Sequence, residues 1–401
     1  MTEEKKKAYS EKYAQIKAKI NQAMGNYKGE MIKLSDCIAD NPELPGQEFE
    51  TSKKVVSLLR EHGYNVEYPF AGSNSAFRGV FGADKHKYKI AILAEYDALP
   101  ELGHACGHCL SCAASVLAAL SLKDLQDDLN ADIHIIGTPD EEHRGYKCVM
   151  CNQGIFDKYD MAIMVHMYNS NWIMPKLKAV DEFIYEFEGK AAHASAAPWE
   201  GRNALNGVQL MMHAIDMLRQ HTRPEAQFHG IVSYGGAAPN IVPEKSSLKL
   251  FVRADGKEYL EELIGLVDDC ARGAAIATQT TFKKIPQKYH YYLNLRDNKT
   301  SADALREVFD ELCLVENYPE GAIFASSDIG NVSYVCPAFQ PCLQVIDNAT
   351  IHTREFERAM KTDKAHQSIV TAARIISWQI AKIFSDEEKI AAMKADFCRL
   401  P

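Results

Sequence analysis

What this chain of 401 residues lacks narrows its class first. It has no basic excess: 45 Lys+Arg against 54 Asp+Glu leave a net charge of −9. Nucleic-acid binding needs a basic footprint, so that partner is not expected. Its apolar runs are short, and none is expected to span a bilayer. The first residues, "MTEEKKKAYSEKYAQIKAKI", have no apolar stretch of the kind a secretory signal carries. They read as a charged, solvated helix over about the first 35 positions. There is no internal repeat and no low-complexity tract. Cysteine is plentiful but odd in number, 11, so at least one cannot pair within the chain. Without an export signal these read as reduced thiols or metal ligands, and a cytoplasmic location is expected.

What is present is the composition of an ordinary globular protein, 46% hydrophobic and 25% charged, in a chain long enough for two domains. "SKKVVSLLREHGYNVEYPF" reads as an amphipathic helix running into a strand. Short continuous apolar runs follow: "YKIAILA" (88–94), "DIHIIG" (132–137), "DMAIMVH" (160–166) and "PCLQVID" (341–347). Helical stretches such as "LSCAASVLAALSL" lie between them. Such alternation predicts an α/β domain with a mostly parallel sheet and helices on both faces. Residues 178–289 differ. "EFIYEFEG" alternates like a half-exposed strand, and the order that follows is βαββαβ, a ferredoxin-like unit. The expected organisation is a catalytic domain of 1–177 and 290–401, with 178–289 inserted into it.

In open α/β sheets ligands bind beyond the carboxyl ends of the strands. The ends of these runs carry Glu95 and Asp97, then Asp140, Glu141, Glu142 and His143, then His166, then Asp347 and His352. Between them, "GHACGHCLSC" places His104, Cys106, His108, Cys109 and Cys112. The C-x-x-C spacings raise iron–sulfur, zinc-ribbon and redox-pair readings. A cluster needs a fourth thiolate, commonly before proline, and Cys336-Pro337 is far off in sequence. A ribbon needs knuckles about 15–20 residues apart, whereas 35 residues separate Cys112 from Cys148. Haem attachment fails because Leu110 and Ala113 stand where histidine is needed. None of these readings explains the carboxylates and histidines at the other strand ends. Cys109 and Cys112 read as buried helix residues.

"EYDALP…GHACGH", "GTPDEE", "VH", "AAHAS", "PNIVPE", "SSDIGNVS" and "IHTREF" occur in that order. In this the chain resembles the dinuclear metallopeptidase family of aminoacylase and carboxypeptidase G. It is most similar to the cysteine-ligand branch that holds p-aminobenzoyl-glutamate hydrolase, hippurate hydrolase and the indoleacetyl-amino-acid hydrolases. The resemblance implies a lid that dimerises and two divalent metal ions per subunit, Zn or Mn, with Co or Ni as alternatives. It implies Cys106, His108, Glu142, His166 and His352 as metal ligands, Glu141 as general base and Asp97 as the carboxylate orienting a ligand. It further implies that His193 acts in a neighbouring subunit's site, and that Asn240 and Arg253 bind substrate. The expected activity is hydrolysis of the amide of an N-acyl- or N-aminoacyl-amino acid with a free carboxylate, through a metal-activated water. A dipeptidase for small or unusual dipeptides is the alternative, and a non-catalytic, metal-stabilised peptide-binding protein is the reading from another class. The chemistry agrees: thiolate, imidazole and carboxylate suit such metals, and paired glutamates can divide ligation from proton transfer. Two departures stand out. Cys109 follows "CGH" where the family has a polar residue, and "HRGYK" replaces a glycine-rich loop, setting His143 and Arg144 beside the base.

Overall fold

The computed structural model describes residues 3–287, 291–318 and 325–399. The chain begins with α1 (Glu3–Asp40), α2 (Phe49–Glu61), β1 (Tyr64–Glu67), β2 (Phe77–Phe81), β3 (Tyr88–Ala94) and α3 (His108–Leu122). Then come α4 (Gln126–Leu129), β4 (Ala131–Gly137), α5 (Tyr146–Asn152), β5 (Met161–Ile163) and β6 (His166–Tyr168). The next run is β7 (Ala179–Glu188), α6 (Ala204–Leu218), β8 (Gln227–Tyr234), β9 (Lys245–Ala254), α7 (Lys257–Thr278) and β10 (Thr281–Pro286). The chain ends with α8 (Lys299–Glu311), α9 (Ile329–Val332), β11 (Ala338–Phe339), β12 (Cys342–Gln344), α10 (Arg354–Ala359), α11 (Asp363–Phe384) and α12 (Glu387–Arg399).

Two compact units result: Met1–Pro175 with Leu295–Ile323 and Asp328–Pro401, and Lys176–Asn294 with Phe324–Ser327. The sequence reading set the insert at 178–289. Its C-terminal boundary lies outside the described residues.

In the first unit a six-stranded sheet runs β1-β2-β4-β3-β5-β11. β4, β3, β5 and β11 are parallel, while β1 and β2 are antiparallel additions at one edge. β4 is buried along its whole length and β3 nearly so, as strands covered on both faces must be. Every residue of α3 is buried, which its Ala, Ser and Cys content permits by letting neighbours approach closely. One sequence expectation is corrected here. α1 is not a solvated helix: Tyr13, Ile16, Ile20, Met24, Met31, Leu34 and Ile38 form one buried stripe at spacings of three, four and seven. By length and composition alone, His108–Leu129 is also apolar enough to cross a membrane, yet 89% of its most apolar window is buried inside the protein, as in a core helix.

"DMAIMVH" and "PCLQVID" do not each give one strand of the main sheet. β5 pairs with β11 there, whereas β6 pairs with β12 in a separate two-stranded sheet. The amides of Met164 and His166 still donate to Phe339 and Pro341 carbonyls. Pro341 has no N–H to return, and the ladder breaks there.

The second unit is a four-stranded antiparallel sheet in the order β10-β7-β9-β8. α6 and α7 cover one face, burying Phe183, Tyr185 and Phe187 with Val208, Met211, Leu260 and Leu263.

Candidate metal centre

The centre is assembled at the carboxyl ends of β3, β4 and β5. After β3 the chain delivers Glu95 and Asp97, both fully buried. One Asp97 oxygen lies 3.0 Å from His108 Nδ1, and the other accepts the Glu142 backbone N–H at 2.9 Å. One carboxylate thus fixes both the His108 ring and the loop after β4. His108 Nδ1 also lies 3.0 Å from the Asp97 carbonyl, which leaves Nε2 as the outward atom. His166 is oriented in the same way, with Nδ1 donating to the Met167 carbonyl at 2.8 Å.

Between Cys106 and His108 stands Gly107 with φ +79, a conformation L side chains rarely adopt. A Cβ there would fall 2.7 Å from Met167 Cβ. The glycine lets the chain turn directly into α3, placing a thiol and an imidazole on consecutive sides of the turn. Cys106 Sγ donates to Glu142 Oε1. His352, also in a left-handed conformation (φ +64), is held by its N–H to the Ala105 carbonyl, with Nε2 3.6 Å from Glu142 Oε1.

Among the described residues four donor groups overlap here, each with ligand atoms within 4.8 Å of one another: Glu95, His108 and His166; Cys106, Glu142 and His352; His108, Glu141 and Glu142; and Glu95, Glu141 and Asp328. The donors fit divalent metal. His108 Nε2 and Glu95 Oε2 are buried without hydrogen-bond partners and face each other at 3.4 Å. Unsatisfied buried polar atoms of this kind are rare unless a ligand meets them.

The electrostatics carry the same signature. Burial would lower the His108 pKa, but Asp97, Glu95 and Glu142 outweigh it and hold the ring well above the ordinary histidine value. The carboxylates therefore demand positive charge, which a proton supplies when metal does not. His166 is pushed down to about 4 by burial and by the nearby His108. Burial raises the Cys106 thiol, and Glu142 adds to the effect. Burial, then Glu142, also raises Glu141 well above the usual carboxylate range.

All five ligand candidates named from sequence, with Glu141 and Asp97, thus fall in this cluster. Asp347 does not: it pairs with Lys364 at 2.7 Å on the surface. His143 is exposed, 3.7 Å from Asp140, and belongs to none of the donor groups. Cys109 and Cys112 are buried in α3, outside those groups. His193, Asn240 and Arg253 belong to the second unit. His193 Nδ1 accepts from the Ser195 and Ala196 amides, and the Asn240 carbonyl accepts from Ala194, so the two residues share one exposed turn. Arg253 donates to Ser326 Oγ at 2.8 Å and lies 3.2 Å from His229 Nε2.

Sequence reading left Glu95 out of the ligand set and missed Lys147 and Asp328. Lys147 is fully buried, its Nζ 2.5 Å from both Glu95 Oε1 and Asp328 Oδ1. The "SSDIGNVS" string held Asp328 in view, but nothing local marked its partner.

Comparison with known proteins agrees with this fold. A family profile for a peptidase dimerisation domain matches residues 177–279. The Xaa-Arg dipeptidase of Mus musculus is 33% identical over 387 residues, spanning 92% of this chain and 89% of that protein. A p-aminobenzoyl-glutamate hydrolase polypeptide of Escherichia coli (strain K12) is 26% identical over 452 residues, spanning 92% of each. Among solved structures, a dinuclear metal-binding peptidase of the M20 family from Bacillus subtilis shares the fold. Its TM-score is 0.70 at 17% identity, over 89% of this chain and 98% of that one. Fold, donors and relatives together define a metal-dependent hydrolase of amide bonds. The chain belongs to the M20 peptidase family.

Proposed function

We propose that this enzyme hydrolyses the amide of an N-acyl- or N-aminoacyl-amino acid, with dipeptides as the first class to test and aminobenzoyl-glutamate-like amides as the second. One observation carries the reading: a buried thiol, three imidazoles and paired glutamates share overlapping donor groups at one sheet edge. The likeness to the Xaa-Arg dipeptidase favours dipeptides with a basic C-terminal residue. In this reading Cys106, His108, Glu142, His166 and His352 hold two divalent ions, Zn or Mn. When bound, the ions supply an acidified water and polarise the amide carbonyl. Glu141 takes the proton from the attacking water on its carboxylate and returns it to the leaving amine nitrogen. One carboxylate can accept and then donate the same proton. Asp97 keeps the His108 ring and the Glu142 backbone in register. Arg253 and Asn240 bind the substrate carboxylate, and His193 of one protomer donates to the developing oxyanion in the other protomer of a homodimer. The enzyme acts in the cytoplasm.

The test is metal analysis per chain alongside a hydrolysis screen of dipeptides and N-acyl amino acids, with Glu141→Ala as control. The variant should keep its metal and lose about 10²–10⁴-fold in kcat. Near-normal turnover would remove Glu141 as base, and a metal-loaded wild type inert towards every amide would sink the proposed substrate class.

A further inference from the structure

The interior of the first unit holds a group that the reading above does not use. Lys147, second residue of α5, has no solvent exposure. Its ammonium lies 2.5 Å from Asp328 Oδ1 and 2.5 Å from Glu95 Oε1, and its backbone N–H donates to Asp328 Oδ2 at 3.0 Å. Asp328 therefore grips both ends of the residue and fixes where the ammonium sits. A buried ion triad with only a structural task would satisfy both oxygens of each carboxylate, because an orphaned buried oxygen is costly. Glu95 is satisfied on one side only. Oε1 meets the lysine, while Oε2 has no hydrogen-bond partner and faces His108 Nε2, equally without one, at 3.4 Å. Two donors of one tetrahedral ion with bonds of about 2.1 Å are separated by roughly 3.4 Å. Glu95, His108 and His166 together form a fully buried donor group.

We propose that Glu95 is a sixth ligand of the metal centre, and that Lys147, anchored by Asp328, is the positioning residue that turns its second oxygen toward His108 and His166. The inference rests on the metal-centre reading above. It assigns the buried lysine a definite task. A fixed internal cation bound to one oxygen stops Glu95 from chelating through both, so the other oxygen is presented in one direction.

The experiment is titration of the metal-free full-length protein with Zn²⁺, and with Co²⁺ as a spectroscopic probe. It compares wild type with Glu95→Gln and with the double variant Lys147→Met/Asp328→Asn, which removes the cation together with one of its two carboxylates and so keeps the net charge of the triad unchanged. Wild type should bind two ions per chain. Glu95→Gln should keep one ion and bind the other at least about tenfold more weakly, one coordination bond having been lost. The double variant should weaken the same ion, and in both variants the same Co²⁺ absorption band should move. Two ions bound by Glu95→Gln with wild-type affinities and an unchanged spectrum would overturn the proposal and leave the metal centre standing. A wild type that binds no divalent ion would overturn both. Should Glu95→Gln fail to fold, a crystal structure of the Zn²⁺-loaded wild type decides. Glu95 Oε2 at about 2.0–2.2 Å from an ion supports the assignment, and no contact overturns it.

Discussion

Asp181, on β7 and a member of none of the donor groups, shows how one side chain can set a pH dependence. Burial raises its carboxyl to about 7 against the pull of Lys284. Unfolded, the group ionises near 4. Between about pH 4 and 7 the folded state therefore holds a proton that the unfolded state has released, and stability falls as pH rises through that window. Asp181→Asn removes the penalty. Thermal unfolding should show the variant more stable than wild type at pH 8, by about 1–2 kcal/mol once solvent screening is allowed for, and indistinguishable from it near pH 4. A pH-independent difference would remove Asp181 as the cause. At this scale much of the donor cluster was legible in the sequence, because histidine, cysteine and glutamate stood just past apolar runs. Lys147 and Asp328 were not. They lie 181 positions apart, and lysine is almost always solvated, so no local pattern marks one for burial.

At the scale of elements the turn into α3 is the sensitive joint. Gly107→Ala would add a Cβ 2.7 Å from Met167 Cβ at a φ of +79. Both faults act at once, so the substitution should cost at least about 2 kcal/mol and also impair metal retention, since Cys106 and His108 flank the turn. Unfolding midpoint and metal content, measured on one preparation, check this. A stable variant with full metal would show that the turn can relax. The strands and the βαββαβ order were readable because their periods of burial are short and local. α1 was misread because its lysines and glutamates swamp a stripe that emerges only when the apolar positions are placed at helical spacing. The departure of β6 from the main sheet depends on Pro341, whose partner strand is remote in sequence.

For the whole molecule, the proposed sharing of His193 between protomers makes activity a property of the pair. Glu141→Ala and His193→Ala homodimers should each be nearly inactive. Mixed dimers should recover part of the wild-type rate, because one of their two sites receives both functional residues. A mixture that stays inactive despite verified exchange of protomers would confine His193 to its own chain. The second unit ends its sheet at β8, an edge strand on which Ile231 is 64% exposed, and the dimerisation-domain match includes this strand.

The absence of any solvent-facing residue on α3 has a further consequence. Its amides have no local route to water, so they exchange with deuterium only when the surrounding unit opens. Its first residue, His108, is also a donor in the metal centre. Ions that bind the folded state alone lower the population of the open state by a factor that grows as the free ion concentration divided by Kd. The exchange lifetime of this one helix is thus a direct gauge of how tightly the ions are held, readable without any substrate.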